Sequence, residues 1–222
     1  MGRSAKRDVG VFGYARRATR LGPQPISFLM AQGVANPNMI SLAAGLVDHE
    51  TLPAAAVRDL LSALLGDESA GRTALQYGTT EGLGELRQHL LEHMAALDGV
   101  HPADLGATAD EILVTSGSQQ LLFMLADVLV DEGDIVITGW PSYFVYTGVL
   151  AGAGARVRCV EMDELGMVPD SLEAVFADLN ASGDLDRVKI VYAISYHQNP
   201  TGLTLAEDRK PVILDLVRRY SR

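Results

Sequence analysis

Residues 188–202 read VKIVYAISYHQNPTG and decide the class of fold, because they join a strand pattern to a tight turn. Residues 188–194 are rich in β-branched and aromatic side chains, which predicts a buried strand. The turn contains Asn199, and Pro200 restricts that asparagine to an extended conformation that aims its side chain outward. Two interpretations stay open here: an ordinary Asn-Pro turn, or an asparagine that binds a ligand oxygen.

Short apolar runs alternate with helical patterns through most of the chain. Strands are predicted at 112–115, 135–138, 157–160 and 188–194, and helices at 53–65, 82–97, 119–130, 171–179 and 206–220, with one more after Tyr143. Apolar strands separated by amphipathic helices predict an α/β fold, a three-layer sandwich whose mostly parallel sheet is covered on both faces. In such sheets, ligands bind beyond the carboxyl ends of the strands.

The first half of the chain has weaker patterns. Residues 1–40 contain several prolines, which predicts an arm with at most one short helix, near 26–33. Residues 66–72 are polar and predict a break between two helices.

Composition limits the function. The chain has 222 residues, of which 48% are hydrophobic, so it can bury a substantial core. Its formal net charge of −10 argues against nucleic acid or an anionic membrane as the main partner. No apolar run approaches the roughly 20 residues of a membrane span, and the N-terminus lacks the apolar core of a signal peptide. We therefore expect a cytoplasmic protein.

The segment around residue 160 contains no motif that predicts a catalytic or ligand-binding site. Cys159 is the single cysteine, which excludes an internal disulfide and a cysteine-built metal site. It lies in an apolar run and is expected to be a small buried hydrophobe. Glu161, Asp163 and Glu164 follow it and predict a solvated loop.

A second strand end is TSGSQQ, residues 115–120, where a helix begins at once. The first turn of that helix offers unpaired N–H groups and a partial positive charge, and Ser118 adds a hydroxyl. Gly117 lets the backbone approach a bulky anion. The stretch suits a phosphate, although by itself it favours an ordinary N-cap in which Ser118 satisfies its own helix.

A third strand end is GWPSY, residues 139–143. Tyr143 either stacks on a planar heteroaromatic ring or packs as a hydrophobe at the start of a helix, and the motif alone favours packing. The order of the three features sharpens the hypothesis. A phosphate-type helix, an aromatic residue and an Asn-Pro-Thr-Gly turn each follow the carboxyl end of a strand.

Five motifs in this order resemble the fold-type-I, pyridoxal-phosphate-dependent aminotransferases of class I/II, and especially their 2-aminoadipate and kynurenine aminotransferase branch. The motifs are SLAAGLVDHETLP at 41–53, LQYGTTEGLGELR at 75–87, TSGSQQ at 115–120, PSY at 141–143 and HQNPTG at 197–202. Two positions depart from the family pattern: Val47 stands where the family has proline, and Leu52 where it has phenylalanine. These departures concern the substrate loop rather than the cofactor contacts.

The resemblance implies pyridoxal 5'-phosphate as the cofactor. It implies that Gly117, Ser118 and Gln119 hold the phosphate. It also implies that Tyr143 stacks on the pyridine ring and that Asn199 hydrogen-bonds the phenolic oxygen of the ring.

Two further roles rest on the resemblance alone. Tyr77 would reach across the interface of a homodimer to the neighbouring subunit's phosphate, and Gly45 would line the pocket for amino-acid and 2-oxo-acid substrates. Without the family, a packed core tyrosine and a turn glycine are the favoured interpretations of these two residues.

The resemblance also implies a longer enzyme. Residues 1–52 would form an N-terminal arm and part of a small domain, and 53–222 the N-terminal part of the cofactor-binding large domain. The second predicted strand would lie between the third and the fourth, with the first apart from them, so the sheet would be incomplete. The family's Schiff-base lysine belongs to a later strand. Lys189 opens a strand and Lys210 lies in a helix, so no catalytic residue and no metal ligand is assigned.

Several functions are compatible with these motifs. The favoured hypothesis is transamination between an amino acid and a 2-oxo acid, as part of a longer enzyme. The alternatives are an aminotransferase-like effector-binding domain of a transcription regulator and a catalytically incompetent fragment. Residues 1–40 are too short and too broken by proline for a winged-helix DNA reader. A non-enzymatic nucleotide-binding domain is disfavoured, because no glycine fingerprint follows the first predicted strand.

Overall fold

The computed structural model of the chain describes residues 13–21, 25–36, 38–40 and 47–221. The chain divides into two compact units. The sheet unit comprises Met1–Pro37 and Gln119–Arg222, and the helical unit comprises Asn38–Ser118. The predicted domain boundary between residues 52 and 53 stays a prediction.

The described residues contain nine α-helices and five strands. The helices are α1 (Arg16–Arg20), α2 (Pro25–Ala35), α3 (Ala54–Gly66), α4 (Glu68–Ala74), α5 (Gly84–Asp98), α6 (Ser118–Leu129), α7 (Phe144–Ala153), α8 (Pro169–Ser182) and α9 (Arg209–Tyr220). The strands are β1 (Ile135–Gly139), β2 (Arg156–Val160), β3 (Met162–Asp163), β4 (Gly166–Met167) and β5 (Val188–Tyr192). Most predicted elements are therefore confirmed within a few residues.

The main sheet has three parallel strands in the order β2-β1-β5. This order confirms that the strand at 135–138 lies between the next two predicted strands. Because all three strands run in the same direction, their carboxyl ends lie at the same edge of the sheet. The loops that follow Gly139, Val160 and Tyr192 therefore leave from that edge.

Helices cover both faces of this sheet. In β1, Ile135 and Ile137 belong to one buried cluster together with residues of α8 and α9, whereas Val136 belongs to a second cluster with residues of α6 and α7. The alternation follows from the two-residue period of a strand. Two apolar faces, each covered by a pair of helices, confirm the predicted three-layer arrangement.

The predicted strand at 112–115 is wrong as a paired strand. Within the helical unit this segment has no regular secondary structure and joins no sheet among the described residues, although Ile112 has an extended backbone. It has one backbone bond to the preceding loop, in which the Val114 amide donates to the Glu81 carbonyl at 2.9 Å. A run of β-branched residues becomes a strand only where a neighbouring strand offers its N–H and C=O groups.

The helical unit contains α3, α4 and α5. Its α4 lies where a break was predicted at 66–72, so that prediction is wrong. The reason is local, because the Asp67 carboxylate accepts a hydrogen bond from the Ala70 amide at 2.8 Å and caps the helix. Leu91 and Ala95 of α5 are buried.

The N-terminal arm contains two helices, α1 and α2, where at most one was expected. Long-range ion pairs hold α1, as Arg17 contacts Asp127 at 2.6 Å. Among the described residues, no helix combines the length and apolar character needed to cross a bilayer.

Two expectations about the segment around residue 160 are also wrong. Cys159 is exposed rather than buried: it lies in an edge strand whose next residue, Val160, points to the opposite face and is the buried one. The segment predicted as a solvated loop contains an antiparallel hairpin, in which β3 pairs with β4, although its residues Glu161, Asp163 and Glu164 are exposed as expected. Its Asp163 forms an ion pair with Arg209 at the start of α9.

Candidate functional site

The loop that follows β1 carries Tyr143 and is anchored from inside. The hydroxyl groups of Thr138 and Ser142 lie 2.9 Å apart, and both residues are buried. The Trp140-Pro141 peptide bond between them is cis. Tyr143 directly precedes α7 and is half-buried against the cluster that contains Tyr146 and Leu150. This placement is compatible both with stacking of Tyr143 on a planar ligand ring and with packing of Tyr143 at the start of a helix.

The turn that follows β5 carries Asn199, which is exposed. The Gly202 amide donates to the Gln198 carbonyl at 2.5 Å and closes the turn, and Gly202 has a φ of +73° that favours glycine. The Asn199-Pro200 peptide bond is cis. An exposed amide at the carboxyl edge of a parallel sheet can donate to, or accept from, a ligand.

Gln198 joins these two loops, and sequence reasoning missed it. Its Nε2 donates to the Pro141 carbonyl at 2.7 Å, across 57 residues of chain. Its Oε1 accepts from the amide and the hydroxyl of Thr201, at 3.0 and 2.5 Å. The structure therefore brings together the loops of Tyr143 and Asn199. The only feature of the sequence that could have pointed to Gln198 is its position next to Asn199 of the motif. That position does not show that the Gln198 side chain is buried.

The start of α6 can accept an anion. Gly117 has a φ of +80°, and a Cβ added there would meet nothing within 4 Å, so the backbone lies open. Ser118 is the first residue of the 12-residue helix, whose first N–H groups lack helical partners. The Oε1 atom of Gln119 is buried and has no hydrogen-bond partner among the described residues. The open backbone, the free N–H groups and the Ser118 hydroxyl fit a phosphate group, whereas the Gln119 Oε1 atom can only accept a hydrogen bond.

Within the sheet unit, the first turns of α6 and Tyr143 share a neighbourhood. Leu122, which lies three residues after Gln119, packs against the same buried cluster as Tyr143. Tyr146 and Tyr192 belong to this neighbourhood, with their ring centroids 4.6 Å apart. Burial raises the pKa of both Tyr146 and Tyr192. These two phenols are therefore neutral packing groups rather than bases.

Two site residues, Tyr77 and Gly45, were predicted from the family resemblance alone, and the structure describes only Tyr77. Tyr77 lies in the helical unit and is 99% exposed, which excludes a packed core tyrosine within that unit. Gly45 lies outside the described residues, so its predicted role is not described by the structure.

Neither described lysine ends a strand. Lys189 is the second residue of β5 and is exposed. Lys210 lies in α9, where its Nζ is 2.5 Å from the Glu207 carboxylate and 2.8 Å from the Tyr196 hydroxyl. The hydrogen bond to Glu207, followed by that to Tyr196, raises the pKa of Lys210. An ammonium held in this way is a poor nucleophile.

Residues 37–222 match the family model described as aminotransferase class I and II. The chain belongs to this family. The match confirms the resemblance carried by the five motifs, and the structural neighbours confirm the fold class.

Three relatives illustrate the similarity. The aromatic-amino-acid aminotransferase 1 of Thermococcus litoralis is 34% identical over 187 residues, which are 84% of this chain and 43% of that protein. The solved Pyrococcus horikoshii kynurenine aminotransferase, in complex with PMP and KYN as substrates and KYA as products, is 31% identical with a TM-score of 0.81. The match covers 93% of this chain and 48% of that one.

The third is the solved alpha-aminoadipate aminotransferase of Thermus thermophilus, complexed with N-(5'-phosphopyridoxyl)-L-leucine. It is 29% identical with a TM-score of 0.71, and the match covers 93% of this chain and 46% of that one. The chain thus spans about half the length of the relatives that it matches. The sheet is accordingly incomplete by comparison with those chains.

Proposed function

We propose that the protein containing this chain is a pyridoxal-phosphate-dependent aminotransferase that transfers an amino group from an amino acid to a 2-oxo acid. The observation that carries the proposal is the Gln198–Pro141 hydrogen bond, which joins the loops bearing Tyr143 and Asn199 in a class I and II chain. The aromatic ring of Tyr143 can stack on the planar pyridine of the cofactor, and the side-chain amide of Asn199 on the linked loop can form a hydrogen bond with a ring substituent. When bound, the cofactor supplies an electron-withdrawing ring that takes up electrons from the substrate's α-carbon.

The start of α6 is proposed to hold the cofactor phosphate. The open backbone at Gly117 allows close approach, and the Ser118 hydroxyl and the first amides of α6 donate hydrogen bonds. Gln119 would contribute its backbone amide, which lies in the first turn of α6, as a further donor to the phosphate. Their combined effect is to fix the phosphate and therefore the position of the ring.

The two linked loops are proposed to hold the ring. Tyr143 covers one face and excludes water from it. Asn199 donates a hydrogen bond from its side-chain amide to the phenolic oxygen of the ring, which favours the deprotonated state of the cofactor. Neither residue transfers a proton in this proposal.

Substrates, partners and location are part of the proposal. Relatives named for aromatic amino acids, kynurenine and aminoadipate support an amino-acid donor with a large side chain. Gly45 would line the pocket for this side chain. The exposed Tyr77 supports a homodimer in which it reaches the partner's phosphate. A cytoplasmic location, without nucleic-acid or membrane partners, stays a prediction.

The test combines binding with turnover. Equilibrium dialysis with pyridoxal 5'-phosphate should give saturable binding by the protein that contains this chain. Tyr143→Ala should weaken that binding about tenfold through lost stacking. Tyr14→Ala, an exposed tyrosine of the sheet unit, is the matched control. The proposal is overturned if the unmodified protein neither binds the cofactor nor moves an amino group between amino acids and 2-oxo acids.

A further inference from the structure

We propose that Gln198 is a positioning residue that holds the loop bearing Tyr143 and the turn bearing Asn199 at a fixed separation. The inference rests on the proposed function for its consequence in cofactor binding, and on the structure alone for the link itself. Gln198 contacts no reacting atom. It acts through the backbone of its two neighbouring loops.

Burial is the first argument. Gln198 is 5% exposed, and a buried amide is costly unless its hydrogen bonds are made. Its partners also determine its orientation. The Pro141 carbonyl only accepts, so Nε2 must face it, and the Thr201 amide only donates, so Oε1 must face that group. Both ends of the Gln198 amide therefore form hydrogen bonds that fix its orientation.

The second argument is that the link is specific to two loops. The main chain of Gln198 already closes its own turn, because its carbonyl accepts from Gly202 and its amide donates to the Leu203 carbonyl at 2.8 Å. The turn therefore has backbone support without Nε2. The bond to Pro141 adds a connection that no local geometry requires, between loops 57 residues apart in sequence.

The third argument is the anchoring of the loop after β1. Pro141 is held by Gln198, and its neighbour Ser142 is held by Thr138. Between two such anchors the backbone leading to Tyr143 has little freedom. Trp140, the one tryptophan of this sequence, is 62% exposed in the same loop and can report its mobility.

The variant that isolates the link is Gln198→Glu. A carboxylate keeps the size of the side chain and still accepts from Thr201, but it cannot donate to the Pro141 carbonyl. We expect the fluorescence anisotropy of Trp140 to fall in the cofactor-free protein, with the signal assigned by comparison with Trp140→Phe. The affinity for pyridoxal 5'-phosphate should fall about tenfold. Gln88→Glu makes the same chemical change at an exposed glutamine and should alter neither readout.

Rescue by protonation separates positioning from packing. In acid, the protonated carboxyl of Gln198→Glu regains an O–H donor, so the anisotropy should return toward that of the unmodified protein. Gln198→Met, which fills similar space without a donor, should show no return. The unmodified protein over the same pH range controls for protonation elsewhere in the molecule. Unchanged anisotropy in Gln198→Glu, or equal behaviour of the Glu and Met variants in acid, overturns the proposal.

A measurement on the unmodified protein covers the case in which a variant fails to fold. The side-chain amide protons of Gln198 should exchange with solvent at least tenfold more slowly than those of Gln88, because they are buried and bonded. Equal exchange rates contradict the link. If the link is present but the protein binds no pyridoxal phosphate, the proposed function fails and the positioning role in the fold stands.

Discussion

Arg209 binds both carboxylate oxygens of Asp163, with its Nη1 2.6 Å from Oδ1 and its Nη2 2.7 Å from Oδ2. The same Nη1 donates to the carbonyls of Gly166 and Met167, at 3.1 and 3.3 Å. The start of α9 therefore holds the β3–β4 hairpin next to the carboxyl edge of the main sheet. A bidentate pair with added backbone contacts is more directional than a simple surface ion pair.

This pair predicts an acid-dependent loss of stability. The hydrogen bond from Arg209, followed by one from the Leu165 amide, holds the pKa of Asp163 below its ordinary value. A depressed pKa in the folded state contributes stability above the unfolded-state pKa, and that stability is lost as the pH falls through the lower folded-state pKa. Asp163→Asn should therefore be less stable at neutral pH and less sensitive to acid, in urea unfolding followed from about pH 7 to about pH 3.

Asp178→Asn is the control for that experiment. Asp178 contacts Arg158 through one oxygen at 2.6 Å on the surface, without the backbone contacts of the hairpin pair. Equal acid dependence in Asp163→Asn and the unmodified protein would contradict the stabilising role of the Arg209 pair.

The core of the sheet unit predicts a large effect of cavity formation. Leu172 of α8 is fully buried in the cluster beneath β1, and Leu172→Ala should lower the free energy of unfolding by about 2–5 kcal/mol. Leu214→Ala in α9 removes the same atoms from a side chain that is 48% exposed, and it should cost much less. Urea denaturation measures both, and similar losses would show that the two faces of these helices are misassigned.

Asn199 predicts a spectroscopic change under the proposed function. Asn199→Ala should raise the apparent pKa of the bound cofactor's absorbance transition, because a hydrogen bond that favours the deprotonated state is lost. A spectral titration of the bound cofactor measures this value. Asn180→Ala, on α8, is the control. If the titration of Asn199→Ala matches that of the unmodified protein, Asn199 is a turn residue only.

The proposed role of Tyr77 predicts that each cofactor site of the homodimer contains residues from both subunits. A phenol bonded to a charged phosphate is worth about 1.5–3 kcal/mol, so Tyr77→Phe should weaken pyridoxal phosphate binding about tenfold or somewhat more. The unfolding midpoint should hardly change, because Tyr77 is 99% exposed. Tyr14→Phe is an exposed control in the sheet unit.

Hybrid dimers test which subunit receives the Tyr77 hydroxyl. In a dimer of one unmodified subunit and one Tyr77→Phe subunit, only the site facing the altered loop should weaken. Tagging one subunit identifies the weakened site after separation. Weakening in the subunit that carries Tyr77→Phe would mean that the contact is made within one chain.

The positions of Lys189 and Lys210 predict that neither forms a Schiff base with pyridoxal phosphate. Borohydride reduction with stoichiometric pyridoxal phosphate should leave Lys189 and Lys210 without a stoichiometric pyridoxyl adduct. Lys189 lies at the amino end of β5, and Lys210 is held by Glu207 and Tyr196. Peptide mass spectrometry locates any adduct. A full equivalent on either lysine would refute the cofactor site proposed at the carboxyl edge.

Sequence reasoning predicted those parts of the site that depend on neighbours in the chain. The positions of Tyr143 and Asn199 just beyond the ends of β1 and β5 followed from apolar runs that stop at proline-containing turns. The helix start at Ser118 followed from a glycine and a serine before an amphipathic pattern. Propensities, caps and turns act over a few residues, so a single sequence contains this information.

Other features were decided by segments that meet only in the folded chain. Residues 112–115 have the composition of a strand but no pairing partner among the described residues. Cys159 lies in an apolar run but is exposed, whereas Val160, the next residue of the same edge strand, is buried. Neither outcome can be derived from the segment itself, since pairing and burial belong to the neighbours that it meets.

The sequence by itself determined the alternation of strands and helices, the family, and the identity of the residues at the strand ends. Only the tertiary structure decided how those residues are held. Gln198 reaches Pro141 across 57 residues, and Arg209 reaches Asp163 across 46. The physical reason is that a hydrogen bond forms over about 3 Å in space whatever the separation along the chain, and that space is defined only when the helices and strands pack.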